Sequence, residues 1–219
     1  MILVQARSTS QRFPGKHLAP LCGSTVMDTL ISRASQAMPL AYIIPTGDPL
    51  RSELERRKVD CFEGPEHDVL KRHVLAMDFF ELSWCIRVTG DCPLISPQDI
   101  LWMANACVGH SIDFGTNCRR AGTDGQEIEF ISRRLMRHMQ KVSEAGAQHE
   151  WAMDEGDREH VTTWVKRNWD HLKAQFRFYE APIQYGWQMA GKISIDTPED
   201  LERVDLLMRA VKFQEAGDE

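Results

Sequence analysis

Short apolar runs alternate along the chain with longer stretches in which apolar side chains recur every three or four residues. Short runs are typical of buried strands, and the three-to-four-residue period is typical of amphipathic helices. We therefore predict strands at 1–5, 41–45, 59–62, 84–89, 112–116, 127–131, 176–180 and 192–195. Helices are predicted at 26–37, 50–58, 67–81, 97–108, 133–145 and 158–169, and in a last helix that begins after Thr197.

Two of these helices begin at clear sequence signals. Ser96-Pro97 and Thr197-Pro198 each place a capping hydroxyl before a proline at the first helical position. Strands that alternate with helices over short connectors indicate an α/β fold, a three-layer sandwich on a mainly parallel sheet. The chain, 1–219, is predicted to be a single domain, because 219 residues with 42% apolar content can build one sizeable core.

Net charge and cysteine content narrow the classes of partner. A net charge of −6 argues against a general nucleic-acid or membrane-surface binder, so any anion site must be local. No stretch approaches the ~20 apolar residues of a membrane span, and the opening apolar run is far shorter than a secretory signal. The six cysteines have neither CxxC nor zinc-finger spacing, which favours reduced thiols in a cytoplasmic protein.

An acid-free basic loop follows the first predicted strand. The first 27 residues contain no Asp or Glu, and their charged side chains are Arg7, Arg12 and Lys16. Guanidinium, ammonium, hydroxyl and backbone N–H groups can all bind phosphate oxygens. No GxxxxGK[ST] motif is present, so phosphate here would be held by side chains as well as by backbone. The alternative is a solvated basic turn, and charge alone does not separate the two.

Two aspartates directly follow predicted strands. Asp91 comes after 84–89 and Asp196 after 192–195, and neither is needed as a helix cap because Ser96 and Thr197 supply the caps. Ligands of such sheets bind beyond the carboxyl ends of the strands, and carboxylate oxygens suit Mg²⁺. Each Asp could instead make ordinary turn hydrogen bonds. Together with the basic loop, however, the pair suggests nucleotidyl transfer, in which an acceptor oxygen attacks the α-phosphorus of a nucleoside triphosphate and pyrophosphate leaves.

The stretch QARSTSQRFPGKHL resembles the N-terminal signature of the cytidylyltransferases, such as the CMP-Kdo and CMP-sialic acid synthetases. It is most similar to the spore-coat-polysaccharide branch of that family. Further similar motifs are EHDVLKR, RVTGDCPLISP, EIEFIS, REHVT and SIDTPEDL, in the same order along almost the whole chain. One departure is Cys92, which stands where CMP-Kdo synthetases usually have an acid and which puts Kdo in doubt as the acceptor.

The resemblance implies a nucleotide-diphospho-sugar-transferase-like fold, CTP as donor, and Mg²⁺ bound by Asp91 and Asp196. It implies catalytic roles for Arg7, Arg12 and Lys16. The nucleotide-binding residues that it implies are Ala6, Arg7, Ser10, Arg12, Lys16, Asp68, Arg72, Arg87 and Thr89. Candidates around the acceptor are Arg119, Arg120, Gln126, Glu127, Glu129, Glu159 and His160, where an arginine would suit an acid sugar's carboxylate.

Alternatives remain open at several of these positions. Residues 68, 72, 87 and 89 could belong to an ordinary helix face and strand interior, and His160 could be a structural histidine. The resemblance also implies a homodimer that pairs through about 127–170, although the tryptophans there could simply be core residues. The acceptor could be an acid sugar for surface polysaccharide, a phosphonate or a phosphorylated polyol, and the donor another triphosphate. A non-catalytic nucleotide-sugar-binding module is the alternative of a different kind.

Overall fold

The strands form one long sheet and one short hairpin in the computed structural model, which describes residues 1–119, 124–146, 150–181 and 191–217, with side chains to 210. The strands are β1 (Ile2–Gln5), β2 (Pro20–Leu21), β3 (Ser24–Thr25), β4 (Leu40–Pro45), β5 (Asp60–Gly64), β6 (Trp84–Thr89), β7 (Phe114–Thr116), β8 (Glu129–Ser132) and β9 (Phe178–Glu180). Within the described residues, seven of them form a sheet in the order β5-β4-β1-β6-β8-β7-β9.

The sheet is mainly parallel, as the sequence predicts. β1 pairs in parallel with β4 and β6, and the pairs β4–β5 and β7–β9 are also parallel. β8 runs antiparallel to both of its neighbours. β2 and β3 form the separate hairpin.

Helices cover both faces of the sheet. They are α1 (Val26–Ala34), α2 (Leu50–Arg56), α3 (Val69–Phe79), α4 (Pro97–Gly109), α5 (Arg133–Ala145), α6 (Glu155–Glu159), α7 (Thr163–Arg167), α8 (Trp169–Leu172) and α9 (Pro198–Gly217). Ser96 and Ser132 accept hydrogen bonds from the backbone N–H of the third residue of α4 and of α5, so both helices begin at the hydroxyl cap that their sequences contain. No helix of the described residues is long and apolar enough to cross a bilayer.

β1 shows why two cores form. Ile2 and Val4 pack with α1, α2 and α4 on one face, whereas Leu3 packs with α3, α5, α7 and α8 on the other. All three side chains are fully buried, which explains a continuous apolar run at this position. The three-layer α/β sandwich that the sequence predicts is therefore confirmed.

Two predicted elements were wrong. Residues 192–195 are not a strand, because their backbone donates to loops: the N–H groups of Ile193 and Ser194 donate to the Asp124 carbonyl, and that of Ile195 to Asp91. Their alternating apolar pattern reflects burial of Ile193 and Ile195 in a third, smaller cluster that also anchors α9. The predicted helix 158–169 is instead the three short helices α6, α7 and α8.

Candidate active site

The carboxyl ends of β1 and β6 open onto a cavity of about 390 Å³. The loop that follows β1 forms one wall, and the Gly90-Asp91 turn that follows β6 forms another. Predicted site residues that line this cavity are Ala6, Arg7, Ser10, Arg12, Lys16, Arg72, Arg87, Thr89, Asp91, Glu159, His160 and Asp196. The loop, Asp91 and Asp196 thus meet at one place.

Lys16 joins the two aspartates. Its Nζ lies 2.7 Å from Asp91 Oδ2 and 3.3 Å from Asp196 Oδ1, and its side chain is only 9% exposed. Gly15, with φ 71°, turns the chain in the left-handed region just before Lys16. Burial opposes ionisation of Asp91, but the charge and hydrogen bond of Lys16 outweigh it, so the pKa of Asp91 lies below its usual range.

Two further cationic side chains contact Asp196. Arg12 Nη2 lies 2.9 Å from its Oδ1, and Lys192 Nζ lies 3.0 Å from its Oδ2. Its backbone N–H donates to Asp200 Oδ2 at 3.0 Å, at the start of α9. Contacts to its carboxylate and to its backbone N–H therefore hold Asp196 in place, and 18% of its side-chain surface remains exposed.

The two aspartates have the chemistry of a Mg²⁺ site. Their oxygens converge on one cation position, which the Lys16 ammonium fills here. Both side chains keep some exposure, 24% for Asp91 and 18% for Asp196, which leaves room for water and phosphate. In the described ranges, no third His, Cys, Asp or Glu joins them as a metal-binding group. Phosphate and water oxygens would therefore complete the octahedron that Mg²⁺ prefers.

A buried histidine ties the basic loop to the end of β6. His17 Nδ1 lies 3.2 Å from the Gly90 carbonyl, and its Nε2 lies 3.1 Å from the Arg7 carbonyl. A side chain at Gly90 would come within 2.9 Å of His17 Cε1 and 3.0 Å of Ala6 Cβ, so this packing requires glycine. Burial lowers the pKa of His17, although the charge of Asp91 acts in the opposite direction.

A buried ion network supports the floor of the site. Arg87 Nη1 donates to Glu129 Oε2 at 2.6 Å, and Arg87 Nη2 donates to Gln5 Oε1 at 2.8 Å. The second Glu129 oxygen accepts from Thr162 Oγ1 at 2.7 Å and lies 2.6 Å from Lys166 Nζ. Burial raises the pKa of Glu129, but Arg87 and Lys166 reverse the effect and bring it to about 2. All five groups are therefore committed to one another.

A second cavity, of about 310 Å³, adjoins the first. The walls of both cavities include Arg12, Arg87, Thr89, Asp91, His160 and Asp196. Residues on its far side include Cys92, Asp124, Glu127 and Ser194. The aspartates thus stand between two spaces, which is the arrangement that a transfer between two bound molecules requires.

Residues 1–215 match the family model described as cytidylyltransferase. The chain belongs to the cytidylyltransferase family. It is 27% identical to the spore coat polysaccharide biosynthesis protein SpsF of Bacillus subtilis, over all of this chain and 88% of that protein. Over 52% of this chain and 49% of the relative, it is 29% identical to the 8-amino-3,8-dideoxy-manno-octulosonate cytidylyltransferase of Shewanella loihica.

Solved structures share the fold of this cytidylyltransferase. A cytidylyltransferase from Leptospira borgpetersenii superposes with a TM-score of 0.79 at 24% identity, over 98% of this chain and 94% of that one. The CMP:2-keto-3-deoxy-manno-octonic acid synthetase complexed with CTP superposes with a TM-score of 0.69 at 17% identity, over 95% and 98%. The predicted nucleotide-diphospho-sugar-transferase-like fold and the enzyme class are confirmed.

Three predicted residues, Asp68, Arg119 and Gln126, lie outside both cavities. Asp68 caps α3 by accepting from Lys71 N at 2.8 Å, and it lines a neighbouring cavity rather than either of the two described above. Arg119 stacks on Trp169 at 4.4 Å and pairs with Glu180 at 3.5 Å. Gln126 is buried away from both cavities, and Arg120 lies outside the described residues. Glu127 and Glu129 line the second cavity, and their role at the acceptor stays a prediction.

The contributors to this site that sequence reasoning missed include Gln5, His17, Gly90 and Lys192. Gln5 is a polar residue that ends an apolar strand, and this was a usable signal. His17 follows Lys16 directly, but its role depends on two carbonyl groups that are far apart in the chain. Nothing in the sequence placed Lys192 in the site, because its partner Asp196 was expected to bind a metal ion and not a lysine.

Proposed function

We propose that this cytidylyltransferase transfers CMP from CTP to a sugar acceptor used in surface-polysaccharide synthesis, with Mg²⁺ bound by Asp91 and Asp196. One observation carries the proposal: Lys16 gathers both carboxylates at the junction of two cavities, beneath a loop with two further cations. The names of SpsF and of the octulosonate cytidylyltransferase support a sugar acceptor.

Each loop cation has a carboxylate partner that phosphate can replace. Arg7 pairs with Glu159 at 2.9 Å, Arg12 with Asp196 at 2.9 Å, and Lys16 with both aspartates. Arg7 and Arg12 are 47% and 68% exposed, so little is lost when they turn to a phosphate. The triphosphate would lie along the loop, with its charge neutralised by these three side chains.

The transfer step exchanges one P–O bond for another. An acceptor hydroxyl oxygen in the second cavity attacks the α-phosphorus, and the bond from that phosphorus to the α,β-bridging oxygen breaks. Pyrophosphate leaves with the bonding electron pair, and the hydroxyl proton passes to solvent. Lys16 and Arg12 stabilise the charge that develops on the phosphates. Mg²⁺, when bound, would supply further charge neutralisation at the two aspartates.

The nucleoside would occupy the inner end of the first cavity. Arg72 is buried there, and its guanidinium donates to the carbonyls of Pro65 and Glu66, which holds this wall rigid. Burial lowers the pKa of Arg72 to about 10, so it remains charged at neutral pH. A rigid wall of backbone and fixed polar groups can distinguish the hydrogen-bonding edge of cytosine from that of uracil.

We also propose a homodimer in the cytoplasm. All six cysteines are free thiols, which suits a reducing compartment. Trp164 and Trp169 pack inside the core that contains Leu3, so they stabilise the fold of one chain and do not form the contact between two chains. Light scattering during size-exclusion chromatography would test the dimer directly, because a mass of 25.1 kDa would mean a monomer.

Pyrophosphate release tests the proposed function. We expect release from CTP and Mg²⁺ that depends on a sugar acceptor, and a smaller thermal shift with UTP, GTP or ATP than with CTP. A preference of about 2 kcal/mol for CTP over UTP corresponds to one unsatisfied buried group. CTP binding without turnover on any acceptor would favour the non-catalytic module. Preference for another triphosphate, or turnover only on a phosphonate or phosphorylated polyol, would assign the site to a different substrate.

A further inference from the structure

The basic loop that follows β1 begins with a peptide group that is held at both of its ends. The oxygen of this group, the Arg7 carbonyl, lies 3.1 Å from His17 Nε2. Its N–H, which belongs to Ser8, donates to Asp48 Oδ2 at 2.8 Å. Because a peptide group is planar, hydrogen bonds at its two ends fix the orientation of the whole plane. The direction in which the loop leaves β1 is therefore set by His17 and Asp48.

Asp48 is a rigid holder for this peptide. It follows β4 and is only 5% exposed. Its Oδ1 accepts from the Leu50 backbone N–H at 2.9 Å, and its own backbone N–H donates to the Pro45 carbonyl at 3.1 Å. Asp48 lines neither the first nor the second cavity. It therefore acts on a nucleotide in those cavities through the loop and not by contact.

His17 holds the same peptide from the other side of β1. The residue is 3% exposed, and its Nδ1 lies 3.2 Å from the Gly90 carbonyl, directly after β6. β4 and β6 are the two parallel neighbours of β1, so the peptide is joined to the ends of both. The Arg7 side chain, in contrast, is 47% exposed and pairs with Glu159 at 2.9 Å. The direction of this side chain therefore depends on the backbone that carries it.

We propose that Asp48 and His17 are positioning residues of this cytidylyltransferase, which fix the Arg7–Ser8 peptide and so direct Arg7 towards the triphosphate. This inference rests on the proposed function, because it names residues that serve the same loop. A misdirected Arg7 still attracts the triphosphate, since Coulomb attraction falls slowly with distance. The transition state requires hydrogen bonds of defined direction as well. Loss of either holder should therefore lower kcat far more than it weakens binding of CTP.

Amide hydrogen exchange tests the held peptide without any nucleotide. In Asp48→Ser the shorter side chain keeps the local turn to Leu50 but does not reach Ser8. NMR should show a protected Ser8 N–H in the unaltered protein and exchange at least about tenfold faster in Asp48→Ser. Asp60→Asn, at an exposed position of β5, should leave the rate unchanged. An unprotected Ser8 N–H in the unaltered protein would overturn the inference. Equal acceleration at Val4, within β1, would refute a local effect.

Kinetics then test whether Asp48 acts through Arg7. The kcat for pyrophosphate release, with the acceptor found in the test of the proposed function, should fall about tenfold or more in Asp48→Ser. Affinity for α,β-methylene-CTP with Mg²⁺ should change less than about threefold. Removing a negative charge would by itself favour a bound anion, so the change of charge does not explain such a loss. In an Arg7→Ala background, Asp48→Ser should reduce kcat little further. An equal reduction in both backgrounds would refute the action through Arg7.

Two substitutions of His17 separate its two contacts. His17→Gln brings an amide nitrogen to the place of Nε2 and keeps the bond to Arg7, whereas His17→Asn keeps the bond to Gly90. We expect kcat close to that of the unaltered protein in His17→Gln and a loss of about tenfold in His17→Asn. The reverse order, or an unchanged kcat in both His17→Asn and Asp48→Ser, would overturn the inference. If the unaltered protein binds no CTP analogue or releases no pyrophosphate, the proposed function fails, and the exchange of Ser8 N–H alone decides whether the peptide is held.

Discussion

At the scale of single residues, Asp196 stands out because three cationic side chains contact its carboxylate: Lys16, Arg12 and Lys192. Asp196→Asn keeps the shape but removes the charge that Mg²⁺ and these cations require. We expect kcat for pyrophosphate release to fall at least ~10²-fold, as for loss of a preorganised electrostatic group. The exposed Glu202→Gln on α9 serves as the control. Near-normal kcat in Asp196→Asn would refute the metal assignment.

Lys16 serves both the aspartates and the triphosphate, so its removal tests the loop. Lys16→Ala should weaken CTP binding about tenfold or more, because a charge-assisted hydrogen bond contributes ~1.5–3 kcal/mol. Calorimetric titration with CTP measures the effect, and Lys71→Ala, an exposed lysine on α3, is the matched control. If both variants bind CTP equally well, the loop is a solvated turn with no role in binding.

Asp91 and the loop cations were predictable because they lie in the segments that follow two apolar runs, β6 and β1. Parallel strands end at the same edge of a sheet, which brings these segments together. His17 was not predictable, because its value lies in joining the carbonyls of Arg7 and Gly90. Nor could the sequence show that Arg119 faces Trp169 instead of an acceptor.

At the scale of elements, the segment that carries Asp196 depends on a close backbone approach. Gly125 has φ +102°, and a Cβ there would meet Ser194 N at 2.3 Å. Gly125→Ala should push 193–195 away from Asp124 and misplace Asp196, so kcat should fall about tenfold or more. Circular dichroism should change little, because the sheet lies elsewhere. Gly109→Ala, where an added Cβ meets nothing within 4 Å, should leave kcat unchanged.

Element boundaries were predictable where one clear signal decided them. β6 and α5 match their predicted ranges, since an apolar run and a Ser cap define them. The 192–195 prediction failed because apolar residues at alternate positions, Ile193 and Ile195, imitate a strand. The backbone of this segment instead bonds to the loops at Asp91 and Asp124. The 158–169 prediction failed because Thr162 turns its hydroxyl inward to Glu129, at the break between α6 and α7.

At the scale of the whole molecule, the order of the strands in the sheet depends both on local sequence patterns and on pairings between distant segments. The parallel arrangement around β1 followed from the alternation of strands and helices. The antiparallel insertion of β8 between β6 and β7 did not, because it depends on pairings between distant segments. This insertion brings Glu129 opposite Arg87, so the buried ion network is a product of the topology.

Global stability should fall in mild acid because of His73 in the core. His73 is fully buried, and its Nδ1 lies 2.8 Å from the Val69 carbonyl. Within the part of the chain that the structure describes, its Nε2 has no hydrogen-bond partner. Burial, and then the charge of Arg87, lower the pKa of His73 to about 3. In the unfolded chain His73 binds a proton near pH 6.5, whereas in the folded chain it stays unprotonated there. The free energy of unfolding therefore decreases as pH falls below 6.5.

The expected loss is up to ~1.4 kcal/mol per pH unit, or ~2 kcal/mol between pH 7.5 and pH 5. Urea denaturation at pH 7.5 and pH 5 measures it in the unaltered protein and in His73→Gln. The variant should be less stable at pH 7.5, since the core is disturbed, but its stability should depend less on pH. His67→Gln, at a side chain that is 93% exposed, should keep the full pH dependence. An unchanged slope in His73→Gln would show that other groups cause the loss of stability in acid.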